Sequence, residues 1–253
     1  MFQISVVSLL PEIVEPVTRY GVVGRACSSG LVGVQQVSPR DFAFDTHRTV
    51  DDRPYGGGPG MVLKYEPLRD AIRHARRELP VGSREFVLSA QGRAFDQALA
   101  LEMAAGAGLL LVAGRYEGLD ERIIAAEVEE ELSLGDYVLS GGELAAAVVI
   151  DAVARLLPNV LGHQDSSQEE SFMAGLLDYP QYTRPEVADD LGVPEVLTQG
   201  HHEAIRQWRL KQALGRTWLR RPQLLEDRGL TPEEQNFLDE FIDEHSKIHT
   251  IDV

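Results

Sequence analysis

Short apolar runs alternate with longer segments of helical spacing through the first part of the chain. Ile4 to Leu9, Phe86 to Ser89 and Leu109 to Ala113 are compact and rich in aliphatic residues, which predicts buried strands. Pro67 to Glu78, Ala94 to Ala105 and Glu143 to Leu157 repeat their apolar positions at helical intervals. Strands alternating with helices predict an α/β domain built on a mainly parallel sheet, with ligand loops gathered at the carboxyl ends of the strands. Gly114 follows the Leu109 to Ala113 run directly and is the first candidate for such a loop. The stretch Gly162 to Ser171 has neither periodicity nor apolar content and reads as a linker. Beyond it the pattern is helical. Thr231-Pro-Glu-Glu234 is a capping box with proline at the first helical position, and it predicts a last helix through about His245, with Lys247 to Val253 loosely held. The organisation expected is an α/β domain over 1–161, a linker over 162–172 and a helical domain over 173–253.

Two loops carry most of the candidate chemistry. Gly114-Arg-Tyr-Glu-Gly-Leu-Asp-Glu121 and Leu134-Gly-Asp-Tyr-Val-Leu-Ser-Gly-Gly-Glu143 each adjoin a long apolar segment. Their glycines let the main chain approach a flat polar ligand such as an adenosine, and Tyr116 and Tyr137 add rings and hydroxyls. Tight turns between strands and helices would also use such glycines. Neither loop has the spacing of a triphosphate cradle or of a dinucleotide fingerprint. A third segment, Val50 to Met61, holds three successive glycines between prolines, so it cannot belong to a regular element. Asp51, Asp52 and Arg53 within it suit a base edge or a phosphate; a purely structural surface loop stands beside that reading.

Charge changes the picture in one respect. A net charge of -16 argues against a polyanionic partner, yet the charge is unevenly spread. Acids concentrate in Glu127 to Glu131 and Glu226 to Glu244, whereas Arg206, Arg209, Lys211, Arg216, Arg220 and Arg221 form a stretch with no acid, interleaved with Trp208 and Trp218. That composition suits a helical face touching phosphates; a solvated helix with core tryptophans is the plainer alternative. The single cysteine, Cys27, rules out an intrachain disulfide and fits a reducing cytoplasm. The first residues read as a strand and not as a signal peptide, and no apolar run is long enough to span a bilayer.

The runs VDDRPYGGGPGM (50–61), GRYEGLDER (114–122), LGDYVLSGGE (134–143), YTRPE (182–186) and WRLKQALGRTWLRRP (208–222) resemble those of the bacterial tRNA (guanine-N1)-methyltransferases, in the same order and over nearly the whole chain. The resemblance implies a SPOUT-class enzyme with a deep trefoil knot, acting as a homodimer on guanine 37 of tRNA, with no role for DNA or membrane. It implies S-adenosyl-L-methionine as methyl donor, held by Leu88, Ser89, Ala90 and Gly92, by Gly114, Tyr116 and Glu117, by the knot loop Leu134, Gly135, Asp136, Tyr137, Val138 and Leu139, and by Gly141 and Gly142. Ala90 stands where many relatives have proline. Asp51, Arg53, Arg216, Arg220 and Arg221 would contact the RNA. An assisting Mg²⁺ is implied without a position.

N1 of a neutral guanine carries a proton, so methylation there needs a base, and something positive must stabilise charge developing at O6. The resemblance places the base at Glu170 and the cation at Arg155. Glutamate replaces the aspartate of relatives, its extra methylene moving the carboxyl by about a bond length, and misplacement of about 1 Å can cost about 10²-fold. Glu169 is the neighbouring alternative. A non-catalytic RNA-binding protein of the same fold, or a SPOUT methyltransferase for another base, are the competing functions.

Overall fold

The structure of the protein, a computed structural model, describes residues 1–161 and 170–250, with side chains through Lys247. Most of the expected linker, including Glu169, therefore lies outside the described residues. The chain divides into two compact units, 1–164 and 165–253.

The first unit is built on five strands: β1 (Phe2–Val7), β2 (Val32–Val37), β5 (Arg84–Ala94), β6 (Gly108–Ala113) and β7 (Glu130–Ser133). They lie in the order β2-β1-β6-β5-β7, and every pair is parallel. A small antiparallel pair, β3 (Asp51–Asp52) and β4 (Val62–Leu63), brackets the glycine-rich segment. The central strands are apolar on both sides, which is why β6 is buried along its whole length and reads as a continuous run. Side-chain alternation divides its residues between two cores. Leu109 and Leu111 join Ile4, Val6 and Phe86 under one layer of helices, α2 (Gly21–Ser28), α4 (Gln97–Ala104) and α6 (Glu143–Ala154). Leu110 and Val112 join Val7 and Val87 under the other layer, α3 (Tyr65–Glu78) and α5 (Glu121–Glu127). A short helix α1 (Glu15–Arg19) precedes α2.

The larger departures from the sequence pattern have local reasons. Strand β5 continues to Ala94, because Arg93 and Ala94 re-pair with β7 after a register shift; α4 then starts at Gln97, capped by Asp96, whose carboxylate accepts the Leu99 N–H at 2.8 Å. Helix α6 ends at Ala154, since Leu156 and Leu157 turn on tighter three-residue hydrogen bonds. Strand β7 was hidden in an acidic run. In the fold those acids are not a solvated patch: Glu127 is buried against Arg73 at 2.5 Å, and Glu130 meets Arg84 at 2.9 Å.

The second unit is mainly helical, with α7 (His202–Arg220), α8 (Gln223–Arg228) and α9 (Pro232–Thr250) closing over Leu176, Leu214, Leu225 and Leu238. The capping box forms as its sequence requires: Thr231 Oγ1 accepts the Glu234 N–H at 3.2 Å, and Glu234 accepts the Thr231 N–H at 2.9 Å. The last helix runs to Thr250, beyond the expected end near His245. Gly215 on α7 lies against the Phe241 ring of α9, 
so a side chain there would push the two helices apart. The helical pattern left one element unanticipated, a hairpin of β8 (Val187–Ala188) and β9 (Leu191–Gly192) turning on Asp189 and Asp190, both at positive φ.

Candidate functional site

A cleft of about 380 Å³ opens at the carboxyl ends of β5, β6 and β7. Three loops wall it, and the sheet dictates each. The first arises from the β5 register shift: Leu88 and Arg93 both pair with Leu132, so residues 89–92 stand out from the sheet. Gly92 sits where a Cβ would collide with the backbone of Glu131 and Leu132, so its hydrogen lets this loop lie tight on β7. The second loop leaves β6 at Gly114, with Tyr116 at φ 61°, a left-handed conformation that costs a non-glycine residue about 1–3 kcal/mol. The third runs from β7 to α6 and returns to the second, where the Gly142 N–H donates to Gly114 O at 2.8 Å and Arg115 and Gly141 form an antiparallel bridge.

The residues expected to hold the donor converge on this cleft. Leu88, Ser89, Ala90, Gly114, Tyr116, Glu117, Leu134, Gly135, Tyr137, Val138, Leu139, Gly141 and Gly142 all line it. Gly92 and Asp136 do not: Gly92 serves strand packing, and Asp136 is exposed at the turn of the third loop. Gly142 cannot carry a side chain cheaply, because a Cβ would stand 2.7 Å from Ala113 Cα. Gly141 also makes room for side chains behind the cleft wall. A Cβ there would strike the Arg115 guanidinium and come within 2.6 Å of Glu143 Oε2.

That ion pair is the part of the site the sequence reading missed. Glu143, the first residue of α6, is fully buried; its carboxylate accepts Arg115 Nε at 2.9 Å and Ser8 Oγ at 3.0 Å. Arg115 Nη1 also donates to Ser140 O at 3.3 Å. One guanidinium thus joins the second and third loops, while the helix N-terminus favours the negative partner. Both residues lie inside the quoted loop motifs, and their opposite charges beside glycines were the available signal. Gln91, within the Leu88 to Gly92 segment expected at the donor, lines the cleft too, and Glu131 lines it unforeseen.

The glycine-rich segment is tied to the same cleft. The Glu117 N–H donates to Met61 O at 3.0 Å, the Leu63 N–H to Gly118 O at 3.0 Å and the Asp120 N–H to Leu63 O at 3.1 Å. Gly60, at φ 81°, is pressed against the Glu117 side chain. Asp51 and exposed Arg53 lie at the base of this loop, and Tyr55 is fully exposed on it.

Arg155 caps the end of α6, half-buried, with its N–H bonded to Asp151 O at 3.3 Å. Glu170 is half-buried in the second unit, where its carbonyl accepts the Met173 N–H at 3.2 Å. Arg216 is half-buried on α7, and Arg220 and Arg221 are exposed at its end, the Arg221 guanidinium 5.8 Å from the Phe172 ring. The acid-free stretch is only partly a cationic surface. Arg206 bonds Glu203 of its own helix at 2.8 Å, and the acids of α9 lie alongside, Glu233 at 3.4 Å from Arg206 and Glu244 at 2.6 Å from Lys211. The Arg206 hydrogen bonds pull the Glu203 carboxyl below the ordinary carboxylate range. Trp208 lies 6.3 Å from the Tyr182 ring and Trp218 is only about one-third exposed. Among the described residues no group of three His, Cys, Asp or Glu side chains is placed to hold a metal ion, and no helix is long and apolar enough to cross a membrane.

Residues 2–227 match the family model described as tRNA (Guanine-1)-methyltransferase TrmD. Three curated proteins named tRNA (guanine-N(1)-)-methyltransferase align over 96% of this chain. That of Chromohalobacter salexigens is 59% identical and covered over 93% of its own length; those of Salmonella typhi and Escherichia coli O127:H6 are 58% and 57% identical and covered over 96%. With its parallel sheet, its glycine-walled cleft and this likeness along nearly its whole length, the chain belongs to the bacterial tRNA (guanine-N1)-methyltransferase family.

Proposed function

We propose that this protein transfers the methyl group of S-adenosyl-L-methionine to N1 of guanine 37 in tRNA. The observation that carries the reading is the cleft, where the residues expected for the donor meet in one place, in a chain close to relatives named for this reaction. The cleft fits the donor in kind. Its walls mix apolar side chains with backbone groups brought close by Gly114, Gly141 and Gly142, which suits a nucleoside held by main-chain hydrogen bonds. When bound, S-adenosyl-L-methionine supplies an electrophilic methyl group on its sulfonium.

The chain's own residues supply the remainder. Glu170 accepts the N1 proton through its carboxyl oxygen, and the Arg155 guanidinium stabilises charge developing at O6. Asp51 and Arg53 position the RNA at the glycine-rich loop, whose hydrogen bonds to Glu117 and Gly118 set it beside the donor. Arg216, Arg220 and Arg221 in the second unit grip phosphates, which fix register without reading sequence. Among the described residues no cluster of His, Cys, Asp or Glu side chains fits the implied Mg²⁺.

The trefoil knot belongs to the same proposal. It is supported by the third loop, which leaves the edge strand β7 and comes back to Gly114 beside the protruding 89–92 segment before α6 packs under the central strand. A homodimer is supported by an apolar surface on α6, where Leu144 and Val148 stand one turn apart and are each about half exposed. A pair of transcripts differing only at position 37 tests the reaction: the guanine form is expected to accept a methyl group and the adenine form to accept none, and equal labelling of both would contradict the assignment.

A further inference from the structure

Glu131 is a wall residue of the cleft that the reaction as described leaves without a task. It lies on the edge strand β7, pairing with Val87 of β5, and its backbone carbonyl carbon is the atom against which Gly92 closes. Its neighbours on the strand are accounted for. Glu130 is held by Arg84, and Leu132 is buried in the core beneath α4 and α6. Alternation puts Glu131 on the opposite face from these two, with Ser133, whose hydroxyl is taken by the Gly135 N–H at 3.3 Å. The carboxyl of Glu131 has no such partner: its Oε2 is shielded from solvent and accepts no hydrogen bond.

A shielded carboxyl oxygen without a donor is costly, and native proteins satisfy nearly all such groups. An apolar residue at this position would make the ligand-free protein more stable. We propose that Glu131 is a donor-binding residue, its carboxyl completed by an N–H or O–H group of the bound S-adenosyl-L-methionine. The ligand offers such groups on its nucleoside half, as ribose hydroxyls and the adenine amine, and on its amino-acid half, as the ammonium. The inference rests on the proposed function in taking that compound as the cleft's occupant.

The experiment reads two quantities that should move in opposite directions. Glu131→Ala and Glu131→Gln are prepared as full-length protein, and each is titrated calorimetrically with S-adenosyl-L-methionine and melted without ligand. The account expects the Glu131→Ala affinity to fall by about 10-fold or more, the scale of a hydrogen bond to a charged group, while its ligand-free melting temperature stays level or rises. Glu131→Gln, which keeps shape and an acceptor oxygen, should lose less affinity. Titration with adenosine distinguishes the halves of the ligand: a loss seen with adenosine places the contact on the nucleoside, and a loss confined to S-adenosyl-L-methionine places it on the amino acid. Equal affinity of wild type and Glu131→Ala overturns the proposal, as does a fall in melting temperature for both variants with affinity unchanged. Failure of the wild type to bind S-adenosyl-L-methionine would instead overturn the proposed function.

Discussion

Removal of the Glu143 carboxylate should destabilise the first unit more than any surface change, and its size can be worked from the geometry. Glu143 is fully buried and holds two donors, Arg115 Nε at 2.9 Å and Ser8 Oγ at 3.0 Å. Glu143→Ala leaves the guanidinium with only Ser140 O among these contacts, and breaking a buried ion pair from one side costs about 3–5 kcal/mol. The Arg115 side chain is 18% exposed, so water reaches part of it and the lower end, about 3 kcal/mol, is the better figure. The unit has 164 residues, and at about 2.1 cal/mol/K per residue its melting entropy is about 0.34 kcal/mol/K. The expected loss is therefore about 9 °C in melting temperature. Replacing both partners by methionine removes the stranded charge and should restore much of that loss, since apolar replacements of buried ion pairs are often neutral or better. Thermal unfolding followed by circular dichroism gives all three values. A Glu143→Ala protein melting within about 2 °C of wild type, or a double variant worse than the single, would refute the reasoning that this pair fastens the second loop to the third.

Glu170→Gln keeps shape but cannot accept a proton, so single-turnover methyl transfer at saturating tRNA and donor should fall by roughly 10²-fold or more; Glu169→Gln should be much milder, and the reverse order would make Glu169 the base. Neutralising Arg216, Arg220 and Arg221 together should flatten the dependence of tRNA affinity on salt by about two to three units of log-log slope, and a filter-binding series with wild-type slope would exclude them as the phosphate grip. Hydrogen bonding to Arg73, aided by the Arg76 charge, holds the Glu127 carboxyl below the ordinary carboxylate range. A depressed carboxyl stabilises the fold above its unfolded value of about 4.3 and loses that contribution as pH falls through the folded value. Glu127→Gln should thus lower the urea midpoint near neutrality, with the gap to wild type closing in acid; a gap independent of pH would sink this account.

The central strands were legible because both of their faces are buried. Leu109 to Ala113 is a continuous apolar run and Ile4 to Val7 is broken only by Ser5, which is how strands buried on both faces read. The edge strands were not. β2 carries Gln35 and Gln36, and β7 is half acid, with Glu130 paired to Arg84, distant in sequence, and Glu131 at the cleft, so neither shows a period or an apolar run. The loops were found through their glycines, but the reason for each glycine came only with the fold. Gly141 makes room for an ion pair, Gly92 for a strand, and Gly142 for the backbone of Ala113. Lys211 looked like part of a phosphate surface because the acids that neutralise it lie on another helix, and Arg206 because Glu233 lies there and Glu203 sits just before the acid-free stretch. Arg115, Glu131 and Glu143 went unread because burial of a charge is invisible along a chain.

The most direct test of the central claim is to find where the methyl group goes. Purified protein is incubated with labelled S-adenosyl-L-methionine and an unmodified tRNA transcript, and the product is mapped by primer extension and by mass spectrometry of its nucleosides. A methyl group on N1 removes the hydrogen that guanine uses in base pairing, so reverse transcription should halt beside position 37 and the labelled nucleoside should be 1-methylguanosine. Label on any other nucleotide, or a donor-bound protein that transfers nothing to RNA, would contradict the account.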